Sequence, residues 1–141
     1  MSRFLLDTNV VSETVRLRPE ARVTDWIARQ PNDVFFLSVL TLGELRRGFI
    51  TAPDPERRAR LESWLEADVV SWFERRILPV TREIAERWGV IDGTCPLRGT
   101  KASTVDGLIA ATALEHGLTV VTRNVKDFDA FGVPLFNPWM V

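Results

Sequence analysis

Phe4-Leu5-Leu6-Asp7-Thr8-Asn9 is a short apolar run that ends abruptly in an acid and two small polar residues. A run of this kind suits a strand buried on both faces, as in a parallel sheet, where the side chains read almost continuously apolar. In open α/β sheets the ligand crevice lies beyond the carboxyl ends of the strands. Asp7 would then present a carboxylate to that crevice, with Thr8 and Asn9 beside it. The bland alternative is that Asp7 or Thr8 does no more than cap the helix that follows.

Working outward, Asn9 to about Arg16 reads as a short helix broken by Pro19, and Glu20–Gln30 as a second with Val23, Trp26 and Ile27 on one face. After the turn at Pro31-Asn32, Val34–Leu37 is a second strand and Ser38 a helix cap. Val39–Thr51 carries Leu42, Leu45 and Phe49 at helical spacing, with Glu44 inside it. From Glu56 to Arg75 the pattern is amphipathic, and Trp64 and Trp72 there, like Trp88 later, suit either core or an interface. Ile77-Leu78-Pro79-Val80 is a third strand weakened by its proline, and Thr81 caps a helix to about Asp92. Gly93–Lys101 reads as a loop. Ser103 or Thr104 opens the most apolar helix, which stops at His116-Gly117. Leu118–Thr122 and Val133–Phe136 are the last two strands. Alternating strands and helices predict a parallel sheet of four to five strands covered on both faces, in one domain over residues 1–141.

With 141 residues the chain is long enough for a real core, and its 45% hydrophobic and 26% charged content is that of a soluble globular protein. No apolar run is long enough to span a bilayer, and no secretion signal precedes the first strand. The single cysteine, Cys95, rules out an internal disulfide and suits a reducing, cytoplasmic setting. A formal net charge of −1 argues against capture of nucleic acid by bulk attraction, though not against a local basic rim. The basic residues are almost all arginine, Lys101 and Lys126 being the exceptions.

Three acids sit in apolar sequence near an expected sheet edge: Asp7 after the first strand, Glu44 in the helix after the second, and Asp106 in the first turn of the apolar helix. Singly, Glu44 could belong to a solvated helix face and Asp106 could simply complement a helix dipole. If they converge, their repulsion, about 4 kcal/mol for two charges 4 Å apart at an effective dielectric of 20, requires protons or a cation. Oxygen ligands without a His or Cys cluster suit Mg²⁺ or Mn²⁺ and not zinc. His116, the only histidine, excludes histidine-based triads and multi-histidine metal sites.

At Leu6-Asp7-Thr8-Asn9-Val10, Leu42-Gly43-Glu44-Leu45, Asp106 to Ala113, Val121-Thr122-Arg123-Asn124 with Asp127-Phe128, and Asn137-Pro138-Trp139, the sequence resembles the PIN-domain family. More narrowly it looks like the VapC and FitB ribonuclease toxins of bacterial toxin–antitoxin modules. The resemblance implies a three-layer α/β/α PIN-like domain with a central parallel sheet, Mg²⁺- or Mn²⁺-dependent hydrolysis of RNA, a homodimer, and silencing by a small antitoxin. It maps Asp7, Glu44 and Asp106 onto the family's metal-binding acids. The fourth acidic position falls at Asn124, an amide, and Asp127, three residues on, either supplies the missing carboxylate or starts a turn. Thr8, Asn9 and Thr104 are candidates for orienting water or an acid. Arg46, Arg47, Lys101, Arg123 and Lys126 are candidates for a phosphate-contacting rim. With Asn124 in place of an acid, one bound metal is expected in the free protein.

Two other readings compete. One is a PIN-like scaffold that binds RNA or a protein without cutting, which Asn124 keeps open. The other is a phosphoryl-transfer enzyme with a nucleophilic aspartate. Against the latter, Asp7-Thr8-Asn9 lacks a second aspartate two residues on, and no phosphate-cradling glycine loop is present.

Overall fold

A computed structural model describes residues 2–94 and 103–141. Five strands form one sheet: β1 (Phe4–Leu6), β2 (Phe35–Ser38), β3 (Ile77–Leu78), β4 (Thr119–Val121) and β5 (Leu135–Phe136). Every pairing is parallel and the order is β3-β2-β1-β4-β5. The chain therefore lays β2 and β3 on one side of β1, then crosses to lay β4 and β5 on the other. The order reverses between β1 and β4, and a reversal of this kind opens a crevice at the carboxyl end of the sheet. The family-level expectation of a parallel sheet inside helical layers holds.

Successive side chains of β1 point to opposite faces. Leu6 joins a core with Val10, Val23, Phe35, Leu65 and Phe73, whereas Leu5 packs with Ile109, Ala110, Ala113 and Phe128. The helices on the first face include α1 (Thr8–Glu13), α2 (Ala21–Ala28), α3 (Val39–Ile50) and α4 (Pro55–Ser63). Trp64 and Trp72 pack against this core, with ring centroids 6.0 Å from Phe49 and 5.9 Å from Phe35. Both remain partly exposed, so each packs on the core with one edge at the surface.

The long amphipathic segment after α4 differs from a plain helix. It passes through a π-helical stretch, Trp64–Val69, before α5 (Val70–Phe73). Leu61, Leu65, Val69 and Phe73 recur at strict intervals of four. In an α-helix such a row drifts about 40° per step, because 3.6 residues make a turn. The wider π turns drift the other way and so offset it, and Leu65, Val69 and Phe73 stand at 3%, 1% and 0% exposure.

Other boundaries moved by a residue or two. Val34 belongs to a 3-10 turn before β2 (Asn32–Val34), and Pro79 ends β3 after Leu78. The helix α6 (Arg82–Thr94) runs past Asp92. Most of the expected Gly93–Lys101 loop, with Cys95 and Lys101, lies outside the described residues.

The last two helices of the second layer, α7 (Thr104–His116) and α8 (Val125–Phe128), complete the fold. Ser103 caps α7 by accepting the Asp106 N–H at 3.0 Å, and Gly117 ends it at φ 66°. The α6–α7 contact is tight at Gly107, where a Cβ would stand 2.8 Å from Trp88 Cδ1. Gly107→Ala is expected to lower stability by about 1–3 kcal/mol, although alanine is the better helix former, because the indole must move. Urea denaturation measures the loss; an unchanged midpoint would show that Trp88 yields freely.

Candidate active site

Asp7 leaves β1 at the switch point. Its N–H donates to Val121 O at 2.9 Å, which extends the β1–β4 ladder by one residue. Its carboxylate caps α1, Oδ1 accepting the Thr8 N–H at 2.9 Å. Asp7 is thus a cap, and it stands at the end of β1 beside β4, where the strand order reverses. The residue is 6% exposed. Burial is the main force raising its pKa, aided by the charges of Glu44 and Asp127 and opposed by hydrogen bonds from Thr122 and Thr8.

Thr122, fully buried at the end of β4, organises this corner. Its hydroxyl donates to Asp7 Oδ2 at 2.9 Å and accepts the Asn124 N–H at 3.0 Å and an Asn9 Nδ2 proton at 3.3 Å. Asn9 also donates to Asp7 Oδ2 at 3.3 Å and accepts the Arg123 N–H at 3.2 Å. One hydroxyl and one amide therefore tie the loop after β1 to the loop after β4. Thr122 was not among the residues picked out for a role in the site. Its one sequence cue was position: a hydroxyl directly after an apolar strand and before Arg123-Asn124.

Glu44 is half-buried on α3 and takes the Thr8 hydroxyl on Oε1 at 2.5 Å. Asp106 comes from the first turn of α7. Its pKa is raised to about 6, by burial first and then by the charge of Asp7, with smaller contributions from Asp127 and Glu44. Glu44 and Asp127 are thus close enough for their charges to raise the pKa of Asp7 and of Asp106. Among the described residues none of them is in an ion pair.

The other candidates divide. Asn124 is exposed at the start of α8 with no capping bond from its side chain, and Asp127 sits in that same short helix. Thr104 is exposed at the first position of α7, where Ser103 makes the cap. Arg123 stacks over the Trp139 ring at 5.3 Å. Arg46 turns away into an exposed pair with Glu66 at 2.8 Å. Arg47 and Lys126 are exposed.

Among the described residues no three acids stand close enough to hold one metal ion as the side chains lie. The donor set nevertheless fits a hard cation. It is all oxygen, it is negatively charged, it is mutually repulsive, and among the described residues no basic side chain pairs with it. Glu44 would join such an ion by giving up the Thr8 hydroxyl.

Thr122→Val keeps the shape of the corner and removes its hydroxyl. Metal affinity is expected to fall about 10–100-fold, the range seen when a group that orients a ligand is lost. Calorimetric titration with Mn²⁺ reads this directly, and wild-type affinity would show that the ladder alone positions Asp7.

A family model described as PIN domain matches residues 4–133. Toxin FitB of Neisseria gonorrhoeae is 38% identical over 136 residues, 96% of this chain and 98% of that protein. The VapC ribonuclease Y4jK of Sinorhizobium fredii is 35% identical over 136 residues, 96% of this chain and 97% of its own. Among solved structures, FitAcB from Neisseria gonorrhoeae superposes with a TM-score of 0.91 at 37% identity, covering 98% of this chain and 99% of that one.

Proposed function

The chain belongs to the PIN-domain family, and from that premise we propose that it is a metal-dependent endoribonuclease, the toxin of a toxin–antitoxin pair. The observation that supports this reading is that Asp7 and Asp106 both feel the charges of Glu44 and Asp127, with none of the four in an ion pair among the described residues. The names of the full-length relatives support the same conclusion.

Asp7, Glu44 and Asp106 would hold a divalent cation, Mg²⁺ or Mn²⁺, with Asp127 near enough to assist. When bound, such an ion lowers the pKa of a water and offsets charge on a phosphate. The chain's own residues prepare the place. The Thr8 N–H and the Thr122 hydroxyl fix the two oxygens of Asp7. Thr8 also holds Glu44 toward the crevice. The exposed Asn124 can donate an amide proton to a phosphate oxygen where an acid would repel it. One tight metal is therefore expected before RNA supplies further oxygen ligands. A small antitoxin and a second copy of the chain are the proposed protein partners, and the cytoplasm the proposed location. No helix among the described residues is long and apolar enough to cross a membrane.

The test is cleavage of total cellular RNA by the purified chain, free of partners, with Mg²⁺, Mn²⁺ or EDTA. Discrete fragments that vanish in EDTA are expected. RNA binding by a folded protein without cleavage in either metal would favour a non-cutting scaffold, the reading that the Asn124 amide keeps in play.

A further inference from the structure

Gly107 lies in a notch closed by two other elements. A Cβ built on it would stand 2.8 Å from Trp88 Cδ1, 2.9 Å from Trp88 Nε1 and 3.7 Å from Phe131 Cζ. Trp88 belongs to α6, and Phe131 to the 3-10 turn Asp129–Phe131 that follows α8. Gly107 and Phe131 are buried. The indole nitrogen of Trp88 is buried too, with no hydrogen-bond partner among the described residues. The pyrrole edge of the indole therefore bears on the backbone of α7, an approach that glycine permits by having no Cβ.

The turn so braced is the one that carries Asp106. Asp106 directly precedes Gly107, and the Gly107 N–H donates to Ser103 O at 3.1 Å, so both belong to one hydrogen-bonded turn. Phe131 stands four residues after Asp127, and its ring lies 6.5 Å from that of Phe128. The notch at Gly107 is thus where the helix bearing Asp106 meets both α6 and the segment that follows Asp127.

The geometry points to Trp88 as a positioning residue of the metal site: its indole edge on Gly107 sets where the first turn of α7 stands and, with it, how closely Asp106 approaches Asp7. This inference rests on the metal-dependent reading and says which side chain outside the site holds its geometry. Metal–oxygen distances tolerate a spread of only about 0.2 Å. Carbon atoms in contact stand about 3.5–4.0 Å apart, so a methyl group at position 107 must part the indole from the turn by roughly 1 Å. A displacement of that size is several times the tolerance, and it reaches Asp106 through a single peptide unit.

The test is calorimetric titration with Mn²⁺ in the absence of RNA, each variant first shown by a thermal melt to be folded. Gly107→Ala is expected to lower Mn²⁺ affinity on the order of tenfold, within the range seen when a group that orients a ligand is lost. Trp88→Phe withdraws the pyrrole edge. Added to Gly107→Ala, it should restore affinity to within about threefold of wild type, because residues in contact do not act additively. Trp88→Phe alone leaves a gap at the turn and should lower affinity by about threefold or more. In RNA cleavage, kcat of Gly107→Ala should fall at low Mn²⁺ and recover at high Mn²⁺, with KM for RNA unchanged. Wild-type Mn²⁺ affinity in a folded but less stable Gly107→Ala would overturn the inference, leaving the contact a matter of stability alone. A loss that Trp88→Phe does not repair would overturn it too, since the contact would not be its cause. Should Gly107→Ala fail to fold, Trp88→Phe alone decides, and wild-type affinity there would sink the inference. In each of these cases the metal-dependent reading stands. Absence of Mn²⁺ binding by the unmodified chain would overturn that reading, and this inference with it.

Discussion

Asp7→Asn is expected to abolish RNA cleavage, by a factor of about 10³ or more, while the protein remains folded. The substitution removes a charge at the one carboxylate held from both loops, by Thr8 on Oδ1 and by Thr122 and Asn9 on Oδ2. A metal's stabilisation of developing charge is worth several kcal/mol, and each 1.4 kcal/mol or so is tenfold in rate. The fold should survive because asparagine caps helices nearly as well as aspartate. It should even benefit, because burial already disfavours the charged form of Asp7. The decisive comparison is single-turnover cleavage beside a thermal melt. Residual cleavage within tenfold of wild type would remove Asp7 from the centre of the site. A collapsed melting point would show that its capping role dominates.

Asp106→Asn is expected to stabilise the metal-free protein at pH 7. The Asp106 pKa is raised from 3.8 to about 6, so the folded state binds more protons than the unfolded chain between those values. Wild-type stability therefore falls as pH rises through that window, and by pH 7 the full cost of ionising Asp106 in place has been incurred. The shift corresponds to at most about 3 kcal/mol, and water at a half-buried carboxylate reduces this to about 1–2. The melting point should rise by roughly 3–8 °C at pH 7 and coincide with wild type near pH 3.5. Adding Mn²⁺ should reverse the order, since a ligand stabilises only the state that binds it. That reversal should weaken below pH 6, where protons compete with the metal for Asp106. A variant melting below wild type at pH 7 without metal would mean that the Asp106 carboxylate is already neutralised by a group beyond the other acids.

Much of this site was legible in the chain because its parts are local. An apolar run ending in Asp7, a serine three residues before Asp106, and a glycine after His116 each specify their own geometry through capping and backbone preference. The parallel sheet followed from alternation alone, and Asp7, Glu44 and Asp106 were expected near one end of it. What spacing could not reveal was which side chains would reach one another. Thr122 lies 115 residues from Asp7. Nothing in a linear pattern separates a hydroxyl that binds a carboxylate from one that binds its own helix, or an anchored arginine from a solvated one. Arg46, adjacent to the site in sequence, pairs away from it with Glu66, twenty residues on.

The sequence by itself determined the order of the elements, the faces they bury and the acids they carry, because periodicity and capping act over a few residues. The tertiary structure alone decided the strand order that brings β1 beside β4. Register in that pairing sets Leu6 against Val121, so the next residues, Asp7 and Thr122, meet across the crevice. Such a meeting depends on packing summed over the whole core, and no short stretch of chain contains it.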